Sequence, residues 1–148
     1  MGLDTSHGAW HGAYSAFMRW REMICKVAGL PPLQMMEGFW EAGSYRDPSV
    51  TLTNQHDREH VSRFLESLPI KWEALKPSPL HILLHHSDCD GEIAPEDCGP
   101  IADELEKLLP LLPKGDSGGH IGDYRDKTQA FIDGCRKAAA ANEPLDFH

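Results

Sequence analysis

The feature that most constrains the fold is the spacing of apolar residues, which recur at steps of three and four along several stretches of the chain. Such spacing places apolar side chains on one face of an α-helix. Glycine or proline stops most of these stretches, as Gly29 and Pro31 do after the first. Helices are therefore predicted over residues 10–28, 57–68, 80–85, 95–112 and 124–141.

These stretches predict a mainly α fold, a compact orthogonal bundle of about five helices. The length of 148 residues fits one domain, so residues 1–148 are expected to form a single helical domain. Residues 2–5 and 144–148 are extended in character. The two ends could pair as a short two-stranded β ribbon that joins them.

Composition and charge narrow the classes of partner. The chain carries 23 acidic and 14 basic residues, a formal net charge of −9. Because a protein that tracks phosphates needs a basic face, nucleic acid is not expected as a partner. No apolar run reaches the roughly 18–20 residues that span a bilayer, and no secretory signal is recognisable, so we expect a cytoplasmic protein without membrane association. In that setting the four cysteines are interpreted as thiols or ligands rather than disulfides.

The mid-chain segment HHSDCDGEIAPEDC carries the densest set of polar side chains. It resembles the EF-hand calcium loop when Gly91 is set at the sixth place, where glycine permits a sharp turn. Asp88 and Asp90 then take the third and fifth places. Two places depart from that family, since His86 replaces the first Asp and Asp97 replaces the bidentate Glu. Both departures weaken a calcium site, because Ca²⁺ requires about six to eight oxygen ligands.

A transition metal suits the same segment better, since the segment mixes imidazole, thiolate and carboxylate groups. The spacing of His86 and Cys89 is typical of paired ligands in structural zinc sites. No second pair follows, and His7 and His11 are the natural candidates because they would stand one turn apart near the start of the first helix. The hypothesis is a divalent metal, zinc rather than calcium, bound by His86, Asp88, Cys89, Asp90, His7 and His11.

A purely structural interpretation of the segment competes with both metal hypotheses. The residues from Asp88 to Gly91 are typical of a turn, in which Asp side chains bond to local N–H groups and glycine takes a positive φ. Glu96 and Asp97 would then favour the amino terminus of the next helix through its dipole. The sequence leaves these interpretations open.

A second metal-like pattern lies at residues 56–60, where HDREH matches the inverted zinc-peptidase signature H-x-x-E-H. Proteins of that family are far larger, and a solvated helix face explains the pattern better. The sequence contains neither a G-x-S-x-G nucleophile elbow nor a phosphate-binding glycine loop. If the domain is catalytic, a metal-bound water would be the nucleophile and a carboxylate such as Glu92 the base.

Four stretches, GLDTSHGAWHGAYSAF, LLHHSDCDGEI, KTQAFIDG and LDFH, resemble a family of small uncharacterised bacterial and bacteriophage proteins. The resemblance covers about half of the chain and implies no activity. It does imply that the stretch containing His7 and His11 and the stretch from Asp88 to Glu92 belong to one design.

Two classes of function follow from the sequence. The leading hypothesis is a metal- or small-ligand-binding domain with its site at the HHSDCDGE turn. The alternative is a non-catalytic acidic protein-interaction module of bacterial or phage origin, which would engage a partner protein through its charged surface.

Overall fold

The computed structural model describes residues 2–39 and 69–148, and the fold is mainly helical. Within those residues there are four α-helices: α1 (Tyr14–Ala28), α2 (Leu80–His85), α3 (Pro95–Leu108) and α4 (Tyr124–Ala141). Short 3₁₀ turns lie at Ser6–Gly8, Leu33–Met35, Trp72–Leu75 and Leu109–Leu111. No helix in the described ranges is long and apolar enough to cross a membrane.

Local chemistry sets the ends of the longest helices. Gly29 ends α1 in the left-handed conformation, with φ of 71°, and its N–H donates to carbonyls of the last turn. Asp123 begins α4 as a cap, because its carboxylate accepts hydrogen bonds from the N–H groups of Arg125 and Asp126 at 2.7 and 3.1 Å. Asn142 ends α4 in a left-handed conformation like that of Gly29.

Two small antiparallel strand pairs accompany the helices. The first joins β1 (Gly2–Asp4) to β2 (His11–Ala13), and the second joins β3 (Glu92–Ile93) to β4 (Leu145–Asp146). These strands are two or three residues long, so each pair depends on the packing around it.

Backbone hydrogen bonds connect the two strand pairs. Thr5 and Phe147 form an antiparallel bridge. Asp4 and His148 exchange two N–H···O bonds of 3.0 and 2.9 Å, and the Phe147 N–H donates to the Gly91 carbonyl at 2.9 Å. The segment that contains β4 therefore lies between the amino-terminal hairpin and the mid-chain turn, which we define as residues 86–91.

An aromatic core holds α1 against α4 and the end of the chain. The ring centroid of Trp20 lies 4.9 Å from that of Phe131, and that of Phe17 lies 6.0 Å from that of Phe147. All four side chains are buried. The Trp20 Nε1–H donates to Thr128 Oγ1 at 2.8 Å, which satisfies the one polar atom of the indole ring.

The amino-terminal 3₁₀ turn packs on α4 at a glycine. A Cβ added at Gly134 would lie 2.4 Å from Cβ and 2.6 Å from Cα of Ala9. Both residues are buried. The close approach of the turn thus requires that position 134 have no side chain.

The first helix begins later than predicted, at Tyr14 instead of residue 10. The prediction that His7 and His11 stand one helical turn apart is wrong. His7 lies in a left-handed turn, with φ of 59°, followed by Gly8 with φ of 68°, and His11 lies in β2. This pair of positive φ angles reverses the chain before a helix can form.

The three other helices in the described residues have the predicted bounds, except that α3 ends at Leu108 and a 3₁₀ turn begins at Leu109. The predicted helix at 57–68 and the H-x-x-E-H pattern at 56–60 lie outside the described residues. The bundle of about five helices and its single-domain extent therefore stay predictions. The expected ribbon between the chain ends takes the form of the Thr5–Phe147 bridge and the Asp4–His148 backbone bonds.

Candidate functional site

A buried arginine anchors the mid-chain turn to α1. The Arg21 guanidinium donates to the carbonyls of Leu84 and His86 at 3.2 and 2.7 Å, which would otherwise be left unsatisfied at the end of α2. The guanidinium also lies over the Phe17 ring, 4.5 Å from its centroid. Burial lowers the pKa of Arg21 to about 10, while the negative charge of Asp88 acts in the opposite direction.

His86 is held by its own turn. Its Nδ1 lies 2.8 Å from the Ser87 carbonyl oxygen and its Nε2 lies 3.1 Å from the Glu92 carbonyl oxygen. The ring also packs on Phe147, with centroids 4.1 Å apart. Since both nitrogens face carbonyl oxygens, His86 must break a backbone contact before it can bind a metal.

Ser87, Cys89 and Asp90 contact one another within the turn. Ser87 Oγ accepts from the Cys89 N–H at 3.2 Å and lies 3.4 Å from Cys89 Sγ. Cys89 Sγ lies 4.0 Å from Asp90 Oδ1, and both residues are exposed. Gly91 has φ of 87°, as the turn chemistry predicts. The positive φ of Gly91 agrees with the purely structural interpretation, whereas the local N–H of Cys89 bonds to the Ser87 hydroxyl and not to an Asp side chain.

The two amino-terminal histidines occupy different surroundings. His11 Nδ1 is hydrogen-bonded to Asp4 Oδ1 across β1 and β2. In the part of the chain that the structure describes, no hydrogen bond or ion pair joins either His7 or His11 to the side chains of the mid-chain turn.

The six predicted ligands are therefore not assembled around one point. Across residues 2–39 and 69–148, no group of three or more His, Cys, Asp or Glu side chains is placed so that it could hold a metal ion. Of the predicted residues, the structure brings together Cys89 and Asp90, which are adjacent in sequence, whereas His11 instead pairs with Asp4.

The strands bring together a different set of side chains on one exposed face. We call this set the strand surface, and it consists of Asp4, His11, Glu92, Asp146 and His148. Residues directly opposite each other in an antiparallel pair point to the same face, as do residues two apart on one strand. Leu3, Thr5, Leu145 and Phe147 alternate with them and are buried on the opposite face.

The register places the members of the strand surface in two neighbouring rows. Asp4 lies opposite His11 in the first strand pair and exchanges backbone bonds with His148 on its other side. Asp146 lies opposite Glu92, and its Oδ2 is 3.9 Å from His148 Nδ1. The chain thus presents two aspartate–histidine pairs on adjacent strands.

Sequence reasoning missed three members of the strand surface: Asp4, Asp146 and His148. A signal was present only at the carboxyl end, because apolar and polar residues alternate in LDFH, whereas LDT at the amino end does not alternate. Alternation over three or four residues is short, however, and the register between the ends cannot be read from either segment alone.

The chain matches no protein-family model, no curated protein and no solved structure at a significant level. The resemblance to small bacterial and bacteriophage proteins therefore stays a prediction.

Proposed function

We propose that this protein is a metal-binding domain, with its site where the amino-terminal hairpin, β4 and the mid-chain turn meet. The observation that carries the proposal is the position of the segment containing β4, which hydrogen-bonds to Asp4 on one side and to Gly91 on the other. This arrangement gathers imidazole and carboxylate groups from three distant parts of the sequence onto one exposed face.

The chemistry of these groups favours a transition metal such as Zn²⁺ over Ca²⁺. Imidazole nitrogens together with carboxylate oxygens form a mixed donor set that suits zinc, whereas calcium takes oxygen ligands only. The strand surface supplies two imidazoles and three carboxylates. The mid-chain turn adds Asp88, Cys89 and Asp90, which precede Glu92 in the sequence.

The negative charge of the strand surface favours the binding of a cation there. Glu92 and Asp146 lie directly opposite each other, and carboxylates at such positions repel each other. The formal net charge of −9 adds to the negative potential that attracts a cation. A bound divalent ion would reduce this repulsion.

Metal content tests the proposal. We expect protein purified without a histidine tag, after dialysis against zinc and removal of free ion, to retain about one equivalent of zinc by elemental analysis. Calcium under the same treatment should not be retained. A chain that retains neither metal, with a thermal unfolding midpoint unchanged by zinc or by a chelator, would overturn the proposal.

The second candidate function is a non-catalytic acidic protein-interaction module. Its support is the acidic surface of α3, where Asp103 and Glu106 pair with Arg136 but Glu96 and Asp97 make no side-chain ion pair among the described residues. A metal-free protein that captures a basic partner protein in a salt-sensitive manner would favour this function.

A further inference from the structure

We propose that Cys98 and Cys135 are a redox-active pair, which forms a disulfide between α3 and α4 when a hydroperoxide oxidises it. Cys98 belongs to α3 and Cys135 to α4, and both are free cysteines in the structure. Neither thiol lies on the strand surface or in the mid-chain turn, so the pair is distinct from the site proposed above.

The two thiols contact each other inside the protein. Cys98 and Cys135 are both 0% exposed, and their side chains are hydrogen-bonded to one another. Cys98 Sγ also lies 3.9 Å from the carbonyl oxygen of Ile93, to which its S–H donates. Two thiols that already touch need only a short approach to reach the disulfide bond length of about 2 Å.

Small side chains beside the thiols allow α3 and α4 to pack closely. The two helices form the most extensive contact between any two elements that the structure describes. Ala102 lies one turn after Cys98, Ala138 lies about one turn after Cys135, and both alanines are fully buried. Close backbones are what a disulfide requires, because its two Cα atoms are usually about 4.4–6.8 Å apart.

The surroundings make Cys98 the nucleophile of the pair. The hydrogen bond from the Cys135 thiol lowers the pKa of Cys98 against the effect of burial, and a bond from the Leu145 backbone acts in the same direction. The contact with Cys98 and burial together raise the pKa of Cys135. Because the thiolate is the form that attacks an oxidant, Cys98 reacts first and Cys135 remains a thiol until then.

The start of α3 gives an oxidant its route to Cys98. Cys98 lies in the first turn of α3, which begins at Pro95 after Ala94, a residue that supplies no side-chain cap. Helix ends open locally at a lower free-energy cost than helix centres do. Hydrogen peroxide is small, so a brief opening of this turn is sufficient for it to reach the buried sulfur.

The reaction has two steps. The Cys98 thiolate attacks one oxygen of hydrogen peroxide, the O–O bond breaks, and the hydroxide that leaves takes up the thiol proton as water. The Cys135 sulfur then attacks the sulfur of the resulting Cys98 sulfenic acid, the S–O bond breaks, and a second water leaves as the disulfide forms. The two thiols lose two protons and two electrons, which reduce the peroxide. A small dithiol reverses the reaction by thiol–disulfide exchange.

The test counts thiols of the full chain after the folded protein is exposed to hydrogen peroxide. The protein is quenched, unfolded, alkylated and weighed by mass spectrometry, and digestion identifies joined peptides. We expect Cys98 and Cys135 to resist alkylation, their peptides to be joined, and dithiothreitol to restore both thiols. Cys25→Ala is the matched control, because Cys25 is also buried but does not belong to the pair. Its joined peptide should form to the same extent.

Single variants and the unfolded protein complete the test. In Cys135→Ala the reaction should stop at a Cys98 sulfenic acid, which dimedone labels, whereas Cys98→Ala should give no label at Cys135. Folded protein in which Cys98 and Cys135 both remain alkylatable after the exposed Cys89 has been oxidised would overturn the proposal. Joining of the two peptides only in urea would overturn it as well. Circular dichroism of each variant controls for folding.

Discussion

Substitution of Gly134 by alanine tests whether the amino-terminal turn is seated on α4 as the structure shows. The new Cβ would lie 2.4 Å from Cβ, 2.6 Å from Cα and 2.8 Å from the backbone N of Ala9. Two of these three atoms are backbone atoms, so no rotamer change can remove the clash. The turn at Ser6–Gly8, or α4 itself, must move.

The expected size of the effect follows from two opposing terms. Alanine in place of glycine within a helix is favourable by about 1 kcal/mol. Overpacking a buried position costs about 1–3 kcal/mol, and contact with backbone places this site at the upper limit. The variant should therefore be less stable by about 2 kcal/mol. Urea unfolding followed by circular dichroism should show a midpoint lower by about 1 M, given typical denaturant dependence.

A control on the same helix calibrates the helix term. Ala130 is exposed in the middle of α4, so Ala130→Gly should cost about 1 kcal/mol through propensity alone. If Gly134→Ala instead stabilised the protein by the amount that Ala130→Gly destabilised it, the close contact with Ala9 would be refuted. Because the turn leads into β2, Gly134→Ala should also weaken zinc binding, whereas Ala130→Gly should not.

Three further predictions concern buried polar groups and thiols. Arg21→Ala should destabilise the protein by about 3 kcal/mol in urea unfolding, because it leaves a cavity and two carbonyls without donors; an effect below about 1 kcal/mol would contradict the anchoring role. An alkylating reagent should modify one thiol of the folded protein, Cys89, and all four after unfolding, as counted by mass spectrometry, because the other three are buried. Stability should fall above about pH 9: burial raises the pKa of Cys25 from 9.0 to about 12, so the unfolded chain ionises first and folding loses about 1 kcal/mol by pH 10. Cys25→Ala should remove that part of the pH dependence, and an identical alkaline slope in this variant would contradict the assignment.

The helices could be predicted from sequence because their signals are local. Apolar spacing and a terminal glycine are sufficient for the end of α1, and the same spacing gives the length of α4. The predicted start of α1 is too early because Trp10 continues the apolar spacing of the helix. Its indole is indeed buried in the core, but it reaches the core from the residue before β2. Periodicity reports burial, and burial alone does not distinguish a helix from a packed turn.

The strand surface could not be derived in the same way, because it depends on contacts distant in sequence. Nothing near Asp4 specifies that His148 lies beside it, since that register accompanies the Thr5–Phe147 bridge and the packing of Phe147 near Phe17. The mid-chain turn, in contrast, has conspicuous polar residues whose bonds prove to be local, from Ser87 to the Cys89 N–H and from His86 to carbonyls. A dense polar segment therefore indicated a site more strongly than three dispersed residues did.

The most direct test of the metal assignment is the position of the ion itself. Crystals grown with zinc, with diffraction data collected on both sides of the zinc absorption edge, give an anomalous difference peak at each bound ion. We expect one peak on the face where the amino-terminal hairpin, β4 and the mid-chain turn meet. A peak elsewhere on the molecule, or no peak in crystals of saturated protein, would contradict it.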